Sequence, residues 1–200
     1  MSNLMIKKIF FLLVFFILFS FYFFEINSFF TIKFIEKNNL LLLNYINQNF
    51  FSSIIYFYLI FLIFLLFFIP ITSILVIFSS YLFGTLITIP LSIVIVTLGG
   101  LLNIIILKEL TFLKIIKKAK DFSKKIKEKI KSNEIQYLIL LRFIPMPFIL
   151  QNAIIVLLET SKIKFVLSTI VGISPYIIIY SLAGSKLKEL IDLKNNIKME

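Results

Sequence analysis

The stretch Leu141-Arg142-Phe143-Ile144-Pro145-Met146-Pro147-Phe148-Ile149-Leu150-Gln151-Asn152 places one arginine, two prolines and two amides inside an apolar run. Arg142 is the only arginine of the chain; the remaining fixed positive charge is twenty lysines, nearly all outside the apolar segments. An arginine in hydrocarbon costs roughly 2.5–3.5 kcal/mol on insertion scales, so it normally faces a partner, a cavity or water. Pro145 and Pro147 make a straight helix through this stretch unfavourable. Charge, broken backbone and amide groups thus coincide at membrane depth, which points to a site more than to a simple span.

The composition around this stretch is that of a membrane protein. The 200 residues are 60% hydrophobic with a mean hydropathy of +1.04. Apolar runs of about 20 residues, long enough to cross a bilayer, recur along the chain. No period-2 alternation supports a barrel. The class is therefore an all-α polytopic membrane protein with one membrane domain. Cysteine, histidine and tryptophan are absent. Disulfides, histidine proton relays and His/Cys metal sites are excluded with them. The net charge of +11 is assigned to cytoplasmic loops and anionic lipid, not to nucleic acid.

Six segments follow. Lys7 and Lys8 precede an apolar run over 9–24 with no small-residue cleavage site, read as an uncleaved N-terminal transmembrane helix over 1–24 with its N-terminus in the cytoplasm. Residues 25–51 mix amides and balanced charge with aromatic residues and form an interfacial segment. Residues 52–107 contain a run stopped at Pro70, a piece over 71–83 too short to span, Gly84, and a third run carrying Pro90 and Gly99-Gly100. That is the pattern of a first re-entrant hairpin followed by a transmembrane helix. Residues 108–134 hold ten lysines against four acids, with apolar residues at helical spacing. They predict a basic amphipathic helix on the cytoplasmic surface. Residues 135–184 form a second hairpin and span, and 185–200 a polar tail.

An offset of 75 aligns Phe68-Ile69-Pro70 with Phe143-Ile144-Pro145, Ile74-Leu75 with Ile149-Leu150, and Thr85 with Thr160. The first copy starts outside and ends at the basic helix; the second starts inside. The expectation is an inverted repeat of re-entrant hairpin plus transmembrane helix, with the two hairpin tips meeting. It places the tail outside, while Lys186 and Lys188 mildly favour inside.

The block Arg142-Phe-Ile-Pro145-Met-Pro147-Phe148, with Gln151-Asn152-Ala153, Gly172-Ile-Ser-Pro175, Tyr180 and Ala183-Gly184, resembles the VTT-domain proteins. These are the SNARE-associated Golgi-type membrane proteins of the DedA superfamily. Pro70, Phe83-Gly84 and Gly99-Gly100 fall where that family has its first Pro/Gly loop, its Phe-Gly and its glycine-containing helix. The resemblance covers about 65 to 188. It implies two opposed re-entrant hairpins and the movement of lipids between leaflets, with polyprenyl phosphates or phospholipids as cargo in bacterial relatives, some of them proton-coupled. The chain departs from the pattern at Ile71, where the family's loop usually has glycine, and at Lys108, where an arginine often ends the span. It lacks a further C-terminal span found in many bacterial members. Residues 52–107 contain no Asp or Glu, so the acids of the proton-coupled branch are missing.

The expected function is translocation or scrambling of phosphate-bearing lipids, either phospholipid or polyprenyl phosphate. The alternative is a non-transporting assembly or regulatory partner. Arg142, Gln151 and Asn152 are the candidate substrate-binding residues, with a guanidinium able to hold two phosphate oxygens. The structural reading of Arg142 is an anchor for freed backbone carbonyls, or a side chain that snorkels to the interface. Pro70, Gly84, Pro145, Pro147, Gly172 and Pro175 shape the hairpins and their packing. Asn103, Glu159 and Tyr180 are further polar candidates; Glu159 is the only acid between residues 135 and 188. The spans lack the acid pairs or metal-binding cluster that a lipid enzyme needs. No cofactor or metal is expected. The expected partners are membrane lipids, with a homo-oligomer compatible, and the expected location is a bacterial plasma membrane.

Overall fold

The computed structural model describes residues 41–109, 128, 130–144 and 146–197. The expected N-terminal span, residues 25–40 of the interfacial segment, most of the basic helix, and Pro145 lie outside the described residues. Among the described residues there is no strand. After a helical stretch over Leu41–Gln48, the described residues include these further helices in chain order. They are α1 (Phe50–Leu66), α2 (Thr72–Phe83), α3 (Thr85–Glu109), α4 (Glu134–Phe143), α5 (Phe148–Leu157) and α6 (Lys162–Ile197). A 3-10 turn, Lys131–Asn133, leads into α4. The contacts define one compact unit over Tyr58–Lys186, and a second formed by the flanking residues. The site lies in the first.

Two described helices are long and apolar enough to cross a bilayer, Thr85–Lys108 and Lys162–Leu193. The short helices α2 and α5 have 12 and 10 residues. At 1.5 Å per residue they reach only about 18 and 15 Å, half of a hydrocarbon layer about 30 Å thick. Solvation is inverted relative to a soluble protein. Leu86 is 90% exposed, and Val94, Leu98, Ile105, Ile163, Val171 and Ile179 face outward with it. Inside lie Ser79, Ser80, Thr88, Ser92, Asn103, Arg142, Asn152, Thr169 and Ser181. Apolar outside and hydroxyl-rich inside is the pattern of helices packed in lipid, where small and polar residues hold the interfaces. The protein is an all-α polytopic membrane protein.

The repeat is visible in the elements. In each copy a leading helix, a loop, a short helix and a turn precede a long helix. The leading and long helices run parallel. In the first copy Tyr58 meets Ser92 and, further along, Leu65 meets Asn103. In the second, Glu134 pairs with Lys164, Arg142 bonds Thr169, and Tyr176 donates to the Phe143 carbonyl. The two long helices run antiparallel. Gly100 of α3 lies against Phe165, near the start of α6. Thr85, at the start of α3, shares the Ser80 hydroxyl with Ser181, towards the other end of α6.

The breaks have local causes. α1 ends where Phe68 takes φ +58°. There the Phe68 amide donates to Leu65 and the Ile69 amide to Phe64, a Schellman closure that satisfies terminal carbonyls. α5 closes in the same way: Glu159 takes φ +54°, its amide donates to Val156, and that of Thr160 to Ile155. Glu159 lies 75 residues after Gly84, which has φ +83° at the corresponding break. Beyond this point the second copy gains two residues, since the long helices begin at Thr85 and Lys162. The expected alignment therefore holds through the turn and then shifts to 77. α6 also continues to Ile197, through most of the segment read from sequence as a polar tail. Pro90 and Pro175 are carried inside α3 and α6.

Candidate site between the two loops

The loops before α2 and α5 face one cavity of about 320 Å³. Phe68, Ile69 and Pro70 contribute from the first loop; Ile144, Met146 and Pro147 from the second. The first turns of both short helices also line it, through Thr72 and Ser73 and through Phe148 and Ile149. Neither helix has a side-chain hydrogen bond from its N-cap residue, Ile71 or Pro147. Two sets of N-terminal amides therefore sit at the cavity. The N-terminus of a helix carries about half a positive charge and attracts anions.

Arg142 lies in the last turn of α4 and lines the same cavity, yet is only 3% exposed. The loop at 144–147 turns the chain back so that α5 presents two amides to it. One terminal nitrogen donates to Gln151 Oε1 at 2.9 Å. The other donates to Asn152 Oδ1 at 3.0 Å and to Thr169 Oγ1 at 2.9 Å. The guanidinium carbon lies 4.8 Å from the Phe148 ring centre and 5.3 Å from that of Phe165. Nε has no partner. Every acceptor is neutral, and among the described residues no carboxylate pairs with the guanidinium. Hydrogen bonds and ring faces hold the group in place but do not cancel its charge. The close approach of α6 makes glycine necessary at 172: a Cβ there would lie 2.7 Å from the Arg142 Cβ.

The predicted residues divide by location. Arg142, Gln151, Pro70, Pro147, Asn103 and Tyr180 line the cavity. Gln151 is fully engaged, accepting from Arg142 and donating from Nε2 to the Ile144 carbonyl at 3.1 Å. It orients the guanidinium and ties down the second loop. Asn152 is completely buried behind Arg142, with Nδ2 unpartnered. Glu159 sits at the exposed turn between α5 and α6. Gly84 supplies the left-handed break after α2, whereas Gly172 and Pro175 lie within α6. Thr169, Phe165 and Tyr176 did not emerge from the sequence. Each lies in the apolar run of α6, where nothing but helix position marks it.

A family model described as the VTT domain matches residues 69–186, well over half of the chain. No curated protein and no solved structure matches. The chain belongs to the VTT-domain family.

Proposed function

We propose that this VTT-domain protein moves phosphate-bearing lipids between leaflets, with the phosphate entering the cavity between the loops. The observation that carries this reading is the Arg142 cation in the cavity wall, which among the described residues is held by neutral acceptors alone. The two helix N-termini at the same cavity add positive potential of the kind used to hold anionic substrates in broken-helix transporters. A volume of about 320 Å³ is at the low end of small-molecule pockets, roughly 300–1,000 Å³. It has room for a headgroup and not for a whole two-chain lipid, so the acyl chains stay in the bilayer. In this reading α2 and α5 with their loops are re-entrant hairpins. Arg142 lies eight residues along α4 from Glu134, about 12 Å at helical rise. That is deep enough to meet a phosphate leaving the headgroup layer, and partial dehydration strengthens the contact.

The apolar Ile69, Val76, Val96 and Ile173 around the polar wall limit water, so a headgroup must exchange hydration for Arg142 and the helix amides. No covalent step is required. The host membrane is taken to be a bacterial plasma membrane, and the cargo a phospholipid or polyprenyl phosphate. Reconstitution tests the proposal: purified protein in liposomes moves tail-labelled phospholipid or labelled polyprenyl phosphate from one leaflet to the other. Protein-free rates for both lipids would reject it and favour an assembly or regulatory role.

A further inference from the structure

Asn103 projects from α3 and is 1% exposed. Its Nδ2 donates to the Leu65 carbonyl at 3.2 Å. A carbonyl can only accept, so the amide nitrogen must face Leu65 and the orientation of the side chain is fixed. Oδ1 is then the remaining polar atom, and it has no partner. Asn103 lines the cavity that Arg142 also lines. A buried acceptor left unpaired is unfavourable, and such a group in a native structure calls for a cause. Arg142 Nε is the complementary case, a buried unpartnered donor of a residue that lines the same cavity.

A fully ionised phosphate ester presents acceptors to Arg142 and no donor to Asn103. A single bound lipid satisfies both orphaned atoms when the group attached to the phosphate carries a hydrogen-bond donor. We propose that Asn103 is a specificity-determining residue, with Oδ1 accepting from an N–H or O–H of the headgroup while Arg142 holds the phosphate. This rests on the lipid-phosphate reading above. The discriminating chemistry is the donor: an ammonium that keeps a proton on nitrogen, or a hydroxyl, is favoured over a quaternary ammonium or a methyl cap.

The full chain in detergent, titrated with short-chain lipids, tests this. Phosphatidylethanolamine, its N,N-dimethyl form and phosphatidylcholine carry three, one and no N–H groups. Phosphatidylglycerol and phosphatidylmethanol do the same comparison for O–H. Donor-bearing lipids bind about tenfold more tightly than the donor-free ones, the size expected for one buried charge-assisted or site-defining hydrogen bond. The loss falls at the last methylation. Asn103→Leu brings the donor-bearing lipids down to the donor-free level and leaves the donor-free affinities unchanged, which also reports a folded cavity. The methylation series in the unaltered chain decides the matter even if the variant does not fold. A step in one arm alone names the donor as N–H or O–H. A gradual loss with each methyl means size selection and overturns the proposal, as does equal binding in both arms. Arg142-dependent binding of every lipid with no donor preference sinks the role of Asn103 and leaves the function standing. No binding of any lipid sinks both.

Discussion

The two copies of the repeat enclose polar clusters of different character. In the first, the Tyr58 hydroxyl meets Ser79 Oγ at 2.8 Å and Ser92 Oγ at 3.3 Å, and Ser79 meets Thr88 at 3.0 Å. In the second, Arg142 occupies the centre and bonds Gln151, Asn152 and Thr169. The plan is shared. In each case a side chain from the leading helix reaches the short helix and the eighth residue of the long helix, Ser92 counted from Thr85 or Thr169 counted from Lys162. In each case a glycine of the long helix packs against the leading helix, Gly99 on Leu62 and Leu65, Gly172 on Ile139 and Arg142. At the position aligned with Arg142 the first copy has Phe67. The first cluster is closed among neutral hydroxyls and holds helices together; the second carries a charge to the cavity wall. One architecture thus supplies a fastening in one half and the candidate site in the other.

Removing that difference should have the largest effect. Arg142→Met deprives the cavity of its cation and leaves three buried oxygens without a donor. Lipid movement in liposomes is expected to fall at least about tenfold, because a charge-assisted phosphate contact of about 1.5–3 kcal/mol disappears. Arg142→Lys should not restore it, since an ammonium cannot reproduce the planar fork. Full activity in Arg142→Met would assign Arg142 to structure alone and erase the contrast between the halves, whereas full activity in Arg142→Lys would show that charge suffices without the fork.

The glycine contacts rank next. An added Cβ at Gly184 would lie 2.1 Å from the Ile77 carbonyl oxygen, a backbone atom. At Gly100 it would lie 2.7 Å from the end of the Phe165 ring. A ring can turn and a backbone carbonyl cannot. Gly184→Ala is therefore expected to cost about 3 kcal/mol or more and Gly100→Ala nearer 1, within the range for overpacking. Thermal unfolding in detergent orders the two, and the reverse order contradicts the argument.

Thr169→Val keeps shape and removes one acceptor from Arg142. A loss of about 1.5–3 kcal/mol is expected, with reduced lipid movement as the guanidinium loosens. Tyr58→Phe in the first copy should cost only about 1 kcal/mol and leave lipid movement unchanged. These two substitutions sharpen the comparison: both delete buried hydrogen bonds, and only one touches the site. A transport defect in Tyr58→Phe equal to that of Thr169→Val would show that the first cluster also serves transport.

The sequence made part of this legible. The clustering of Arg142, Gln151 and Asn152 could be read because a proline-broken loop between them returns the chain on itself within ten residues. The element pattern could be read from run lengths, since a 13-residue apolar piece bounded by Pro70 and Gly84 has few other uses in a membrane. Thr169 could not, because one hydroxyl in an apolar helix looks like any other until the register of the second copy is known. That register was obscured by the two residues gained after Glu159. Glu159 read only as a further polar candidate, whereas its backbone takes a positive φ at the position aligned with Gly84. A charged side chain gives no hint of such a conformation, and only the alignment to Gly84 carried the signal.

The closeness of Gly184 to Ile77 has a mechanical meaning. With no room for even a methyl group between α6 and α2, the two halves cannot slide past one another there. Packed backbones in such contact can still tilt, as in rocking-type rearrangements. The contact is then a fulcrum, and a wider passage between the loops would come from rotation about it, with the greatest travel farthest from the pivot.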